Sequence, residues 1–265
     1  MTGRKDAIKR LLLGATGLIA GGMAAPALAA DLPAATYTKA PAMIAAIYDW
    51  SGFYFGLNGG GGSSHKCWSI TNNLGVVGAP APEGCHDATG GTAGGQVGYR
   101  WQTNSWVFGV EGQGNWANLT GSNPSLFFGP GVATNQTRIN GFGLLTGQAG
   151  YAWNTVLLYL KGGAAVVADR FTGVNPATGT AFDQATDTRW GGAVGTGVEF
   201  SFAANWSAAV EYDHMFMGTR ADTFVSTGVN NPVGTLSRVD NIHQDVDMVT
   251  AHINYRWGGP VISKY

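Results

Sequence analysis

Charge is scarce in this sequence. Asp, Glu, Lys and Arg make up 12% of its 265 residues, about half the share found in an ordinary soluble domain. Long apolar runs are missing as well. Beyond the N-terminus, no stretch approaches the roughly 20 residues of a membrane-spanning helix. The first shortage argues against a cytosolic enzyme, and the second excludes a helical membrane protein. Cysteine occurs only twice, at Cys67 and Cys85. What is plentiful is glycine, with 42 residues, and hydrophobic side chains, at 45%. With 11% aromatics and no long helical periodicity, the mixture favours an all-β membrane protein.

Residues 1–29 read as a secretory signal peptide. Arg4, Lys5, Lys9 and Arg10 form a positive start, an apolar stretch follows, and Ala27-Leu28-Ala29 is a small-x-small cleavage site. Removing them leaves 11 Lys and Arg against 15 Asp and Glu, a net charge of −4, which argues against nucleic acid as a partner. Residues 30–49, rich in Ala and Pro, read as a periplasmic lead-in, 50–257 as the folded domain, and 258–265 as a periplasmic tail.

The clearest regular segment is the last. Val249, Ala251, Ile253, Tyr255 and Trp257 alternate with Thr250, His252, Asn254 and Arg256. A period of two with one apolar and one polar face is a strand with lipid on one side and a lumen on the other. The same alternation recurs at 53–58, 96–101, 106–116, 138–153, 157–167, 189–202 and 206–216. With 246–257 the count is eight. Short turns at 102–105, 154–156 and 203–205 alternate with long polar segments at 59–95, 117–137, 169–188 and 217–245. Within 138–153, Phe142 and Leu144 fall on the lumen parity, so that half-strand contains a bulge or faces an apolar lumen patch.

The tryptophans sort by the same scheme. Trp50, Trp101, Trp106, Trp153, Trp206 and Trp257 fall at the periplasmic boundary as an aromatic girdle, and Trp116 and Trp190 fall at the opposite one. Parity places Arg100, Glu111, Arg138, Lys161, Glu199, Glu211, Asp213 and Arg256 in the lumen. Charges there require partners or water. A salt-bridged network across the lumen is expected, with Glu111, Lys161 and Glu211 at similar depth, and it would narrow or block any pore.

Cys67 and Cys85 lie in one Gly/Pro-rich stretch, flanked by His65 and His86. A disulfide, free thiols and a metal site are all open, and an exported chain favours the disulfide. No catalytic set emerges. Asp213 and His214 are adjacent on a strand and point to opposite faces, so they form no dyad. His252 faces inward with no nucleophile partner. The Gly-rich run at 191–197 lacks the strand-then-helix setting of a nucleotide loop. His214, Met215, Met217 and His243 are the residues a haem or metal site would draw on. No cofactor is expected.

Several segments carry a family resemblance. They are Ala-Asp-Leu-Pro at 30–33, Tyr-Asp-Trp-Ser-Gly-Phe-Tyr at 48–54, Gly-Leu-Asn-Gly-Gly at 56–60, Val-Phe-Gly-Val-Glu-Gly at 107–112, Gly-Tyr-Ala-Trp at 150–153 and Asn-Tyr-Arg-Trp-Gly-Gly-Pro at 254–260. The chain resembles the small alphaproteobacterial outer-membrane β-barrels, the porin-family immunogenic outer-membrane proteins. The resemblance implies an eight-stranded antiparallel transmembrane β-barrel of the OmpA/OmpX type, abundant in the outer membrane of a Gram-negative bacterium, with a structural or surface role. It also implies that Tyr255 and Trp257 are the signal read by the barrel-assembly machinery. The chain departs from the family at Thr146, Gln148 and Thr250, where inward arginines are common. It departs again at His252, where Gly is usual, and at Trp257, where Phe is usual.

The functional expectation is a non-enzymatic barrel, set among outer-membrane lipid and lipopolysaccharide, that supports envelope integrity and displays loops outward. A small-solute pore and a surface binder of haem or host molecules are the alternatives.

Overall fold

In the computed structural model, residues 48–129 and 131–257 are described. The expected signal peptide, residues 30–47 of the lead-in and the 258–265 tail lie outside them. The described chain is all strand and turn: β1 (Gly52–Asn73), β2 (Val76–Thr103), β3 (Trp106–Pro124), β4 (Thr134–Trp153), β5 (Val156–Val174), β6 (Ala181–Ala203), β7 (Trp206–Ser226) and β8 (Leu236–Trp257). Each strand pairs antiparallel with its neighbours in sequence, and β8 returns to β1 to close the ring. The closing register runs from Phe53 opposite Trp257 to Asn73 opposite Arg238. Closure leaves no unpaired edge in lipid, where a lone N–H or C=O would cost several kcal/mol.

The periplasmic turns are two residues each, at 104–105, 154–155 and 204–205. Asn104 and Asn154 hold positive φ there, a conformation that asparagine tolerates well. The other end departs from the sequence reading. Strands continue far into the segments expected as long loops, and the connections shrink to 74–75, 125–133, 175–180 and 227–235. The first is the sharpest change. Leu74 and Gly75, both at positive φ, make a two-residue hairpin turn, and the supposed cysteine loop becomes two paired strands. Pro80 and Pro82 are accommodated because β2 pairs on only one side there, its pairing with β3 beginning at Thr89.

Strands of 19–28 residues are about twice what a bilayer needs. The outward faces show where the lipid ends. Apolar side chains cover the wall from the periplasmic turns up to Trp116, 80% exposed, and Trp190, 69% exposed. Trp106 to Trp116 is ten residues, about 25 Å along the axis at ~3.3 Å per residue and ~40° tilt, matching the apolar band of such barrels. Above that level polar residues line much of the outer wall, among them His65, Asp87, Thr120, Gln136, Arg138, Arg170, Thr172 and Arg220. The upper half of the barrel therefore stands clear of the hydrocarbon layer.

The parity of β4 breaks where its register shifts against both neighbours, opposite Trp116 to Leu119 of β3 and between Ile139 and Gly141 in its pairing with β5. Above that break Ile139 points in and Arg138 points out, so Arg138 is not a lumen charge. Phe142 and Leu144, below the β4 shift, do face inward, because the lumen is apolar at that level.

Candidate functional site

The interior is packed from one end to the other. At the periplasmic mouth, residues 48–51 just before β1 fold beneath the barrel. Trp50 is 2% exposed and clusters with Tyr48, Val107, Ala152, Leu157 and Tyr159. Its ring N–H donates to the Asn154 carbonyl at 3.0 Å, and its backbone N–H donates to Gln102 Oε1 at 2.7 Å. Trp50 is thus part of a plug and not of the lipid-facing girdle. It precedes the first strand residue, so the strand parity that turns the other tryptophans outward does not reach it. Trp101, Trp106, Trp153, Trp206 and Trp257 are exposed on the wall. Tyr255 joins them, with ring centroids 5.1 Å from Trp206 and 5.6 Å from Phe55.

Above the plug, six of the seven lumen charges come together. Arg100 Nη1 lies 2.7 Å from Glu199 Oε2, and its guanidinium sits 4.4 Å from the centre of the Tyr54 ring. Glu199 also accepts from Ser207 Oγ and, at 3.0 Å, from Asn254 Nδ2. Lys161 pairs with Glu211, with Asp213 at 3.1 Å and with Glu111 at 3.8 Å. Tyr54 donates to Glu111 at 2.7 Å, and Tyr159 donates to Glu211 at 2.8 Å. All six charged side chains are buried. The seventh, Arg256, is set apart. It covers Tyr48 at 4.4 Å and reaches the carbonyls of Ser51 and Ala204 at the mouth; among the described residues it makes no ion pair.

His252 lies beside this network, its Nε2 at 2.8 Å from Thr250 Oγ1 and 3.7 Å from Glu211 Oε1. An amide relay runs alongside, in which Asn115 donates to Asn58, Asn58 to Gln96 and Gln96 to Asn254. These short polar side chains satisfy one another without carrying charge.

The next layer is apolar. Leu119, Ile139, Phe142, Leu144, Val167, Met215, Met217, Val246 and Met248 fill the cross-section. Met suits an irregular gap of this kind. Higher still lie ion pairs that the sequence reading missed. Lys66 pairs with Asp169 at 2.5 Å, and Arg189 with Asp222 at 2.8 Å. Trp68, Phe171 and Phe224 pack above them. Arg238 then gathers Glu83 at 2.7 Å, Asp183 at 3.0 Å and Asp240 at 3.3 Å. The signal for these residues was present, since Arg238, Asp240, Ile242, Gln244, Val246 and Met248 keep the period of two. At that height the outward face is polar and the inward face mixes charges with apolar side chains, so no clear contrast in hydrophobicity marks the strand.

Cys67 and Cys85 are opposite each other on β1 and β2 and form a disulfide on the outer wall. Their sulfurs are therefore not free as thiolate ligands. His65, beside them, pairs with Asp87 at 2.6 Å. Asp213 and His214 point to opposite sides of the wall: Asp213 enters the Lys161 network, and His214 Nδ1 lies 2.7 Å from Asp247 outside. His243 lies outside as well, near Asp245 and Thr219, while Met215 and Met217 are inside. The residues considered for haem are thus divided between two faces.

A closed antiparallel ring, apolar outside over one bilayer thickness and filled inside, is a small transmembrane β-barrel. The chain belongs to the outer membrane protein beta-barrel domain family, whose model matches residues 15–231. It is 30% identical over 211 residues to the 31 kDa outer-membrane immunogenic protein of Brucella melitensis biotype 1, covering 76% of this chain and 85% of that one. Among solved structures it is similar to Neisserial surface protein A, at 17% identity and a TM-score of 0.33, covering 78% of this chain and 98% of the other. It is also similar to the outer membrane protease OmpT of Escherichia coli, at 7% identity and a TM-score of 0.46, covering 78% and 97%. The protein is an outer-membrane β-barrel of the Gram-negative type.

Proposed function

We propose that this barrel is non-enzymatic and non-conducting, and that it serves envelope integrity while presenting its upper strands and their connections outside the cell. The observation that carries this reading is the continuous filling of the lumen. The Trp50 plug, the Arg100–Glu199 and Lys161 networks, the apolar layer and the Arg238 cluster succeed one another along the barrel. Buried ion pairs of this kind are costly to open, because each charge set free in a dry interior loses its partner. A protein meant to conduct would leave its charges lining water.

Planar-bilayer recordings on purified, folded protein test the reading. Baseline current with no steady unitary openings is expected, and reproducible openings would overturn it. The same reading takes Tyr255 and Trp257 as the signal for the assembly machinery, supported by their outward-facing positions on the closing strand, with Trp257 exposed and Tyr255 half-buried.

A further inference from the structure

Arg138 leaves the lumen because of one inserted residue on β4, and what it meets outside is unusual. Its register partner across β4 and β5 is Arg170, and both side chains are exposed on the outer wall. Like charges directly opposite in an antiparallel pair repel. Arg170 donates to Gln184 Oε1 at 3.1 Å. Among the described residues neither arginine has a carboxylate within ion-pair distance. The nearby Asp169 and Asp183 point inward and are engaged by Lys66 and Arg238. Bulges are devices that re-aim side chains, and here the one on β4 delivers a second guanidinium to one spot.

That spot is a cleft of about 600 Å³ on the outer wall, lined by Thr120, Ser122, Gln136, Arg138, Arg170 and Thr172. Hydroxyls, an amide and two guanidinium groups converge on it, a donor-rich set with no acid. The opposite wall differs, since β1, β2 and β8 carry His65, Asp87, His243, Asp245 and Asp247 there.

Height identifies the ligand. Trp116 pairs with Gly141, and Trp190 with Val166, so the upper tryptophans and the arginines share neighbouring strands. Arg138 and Arg170 stand three and four residues above Gly141 and Val166, about 8–10 Å along the axis at the rise and tilt of such strands. That is the level of lipid headgroups, and the cleft faces sideways along the membrane surface. We propose that Arg138 and Arg170 bind a phosphate group of a phosphorylated glycolipid in the outer leaflet. The planar guanidinium matches phosphate oxygens in bidentate fashion, and one bound phosphate relieves the repulsion between the two arginines.

The test uses the full chain folded in neutral detergent and native mass spectrometry. The probes are bis-phosphorylated lipid A, the same lipid with its phosphates removed, and inorganic phosphate. Wild type should retain the phosphorylated lipid and hold the dephosphorylated one about tenfold more weakly, as expected for loss of charge-assisted hydrogen bonds. R138Q/R170Q should weaken the phosphorylated lipid to a similar degree, R138K/R170K should fall between that variant and wild type because an ammonium keeps the charge and loses the bidentate fork, and H243Q on the far wall should match wild type. Heat-modifiable gel migration certifies that each variant is folded. The proposal falls if R138Q/R170Q binds as wild type does, or if the dephosphorylated lipid binds equally well. Displacement of the lipid by millimolar inorganic phosphate would also overturn it, because the site would then be one for a free anion.

Discussion

Lys161 of β5 reaches past β6 to pair with Glu211 of β7. Its ammonium is shared with Asp213 at 3.1 Å and Glu111 at 3.8 Å, so one cation serves three carboxylates from β3 and β7. K161M would leave all three acids without their cation. Breaking a buried pair from one side costs about 3–5 kcal/mol. The expected outcome is a large fall in the urea midpoint, read as loss of the fast-migrating folded band, with partial recovery on adding E211Q. A midpoint within error of wild type would show that water already fills this level.

Trp257 and Tyr255 face lipid at the closing seam, packed near Phe55 and Trp206. W257D places a charge where the belt meets the headgroups and removes the terminal aromatic. Membrane insertion of the variant in cells should drop severalfold, with unfolded chain accumulating in the periplasm. Normal yields of heat-modifiable protein would remove the assembly-signal reading.

The Cys67–Cys85 disulfide spans 18 residues and ties β1 to β2 above the lipid. Cross-linking a loop of this size stabilises by about 3 kcal/mol through the unfolded chain. Reduction, or C67S/C85S, should accelerate proteolysis of the upper hairpin while the membrane-embedded half stays protected. Equal cleavage rates with and without reductant would mean that strand pairing alone secures the hairpin.

Acid should tighten the upper barrel. Asp240 stands well above the lipid belt, and burial pushes its carboxyl up to about 7, against the pull of Arg238. Glu83 and Asp183 share the same guanidinium, so one cation faces three acids. A carboxyl that holds its proton more tightly when folded adds stability that is full below its unfolded value near 4 and is lost as pH rises through about 7. Protease resistance of the upper strands should therefore decline from pH 5 to pH 8, and D240N should flatten that slope. A slope unchanged in D240N would assign the effect to another group.

The lower half of the barrel was legible in the sequence because lipid and lumen impose opposite demands on alternate residues. Trp206, Val210 and Tyr212 could only face out, and Ser207, Glu211 and Asp213 could only face in. The upper half was not legible, because water bathes one face and ion pairs fill the other. Lys66, Glu83, Asp183 and Arg238 consequently read as loop residues. Arg138 was misassigned by a single inserted residue on β4, which no parity count reveals, and Trp50 because it lies outside any strand.

The sequence by itself determined the strand number, the periplasmic turns and the face of most membrane-embedded residues, Phe142 and Leu144 excepted, since these follow from local alternation against two solvents. Only the tertiary structure decided which charge meets which, how far the strands rise above the lipid and which arginine leaves the lumen. Those depend on register between strands distant in sequence: Arg238 finds Glu83, and Arg138 faces Arg170, only once the ring has closed.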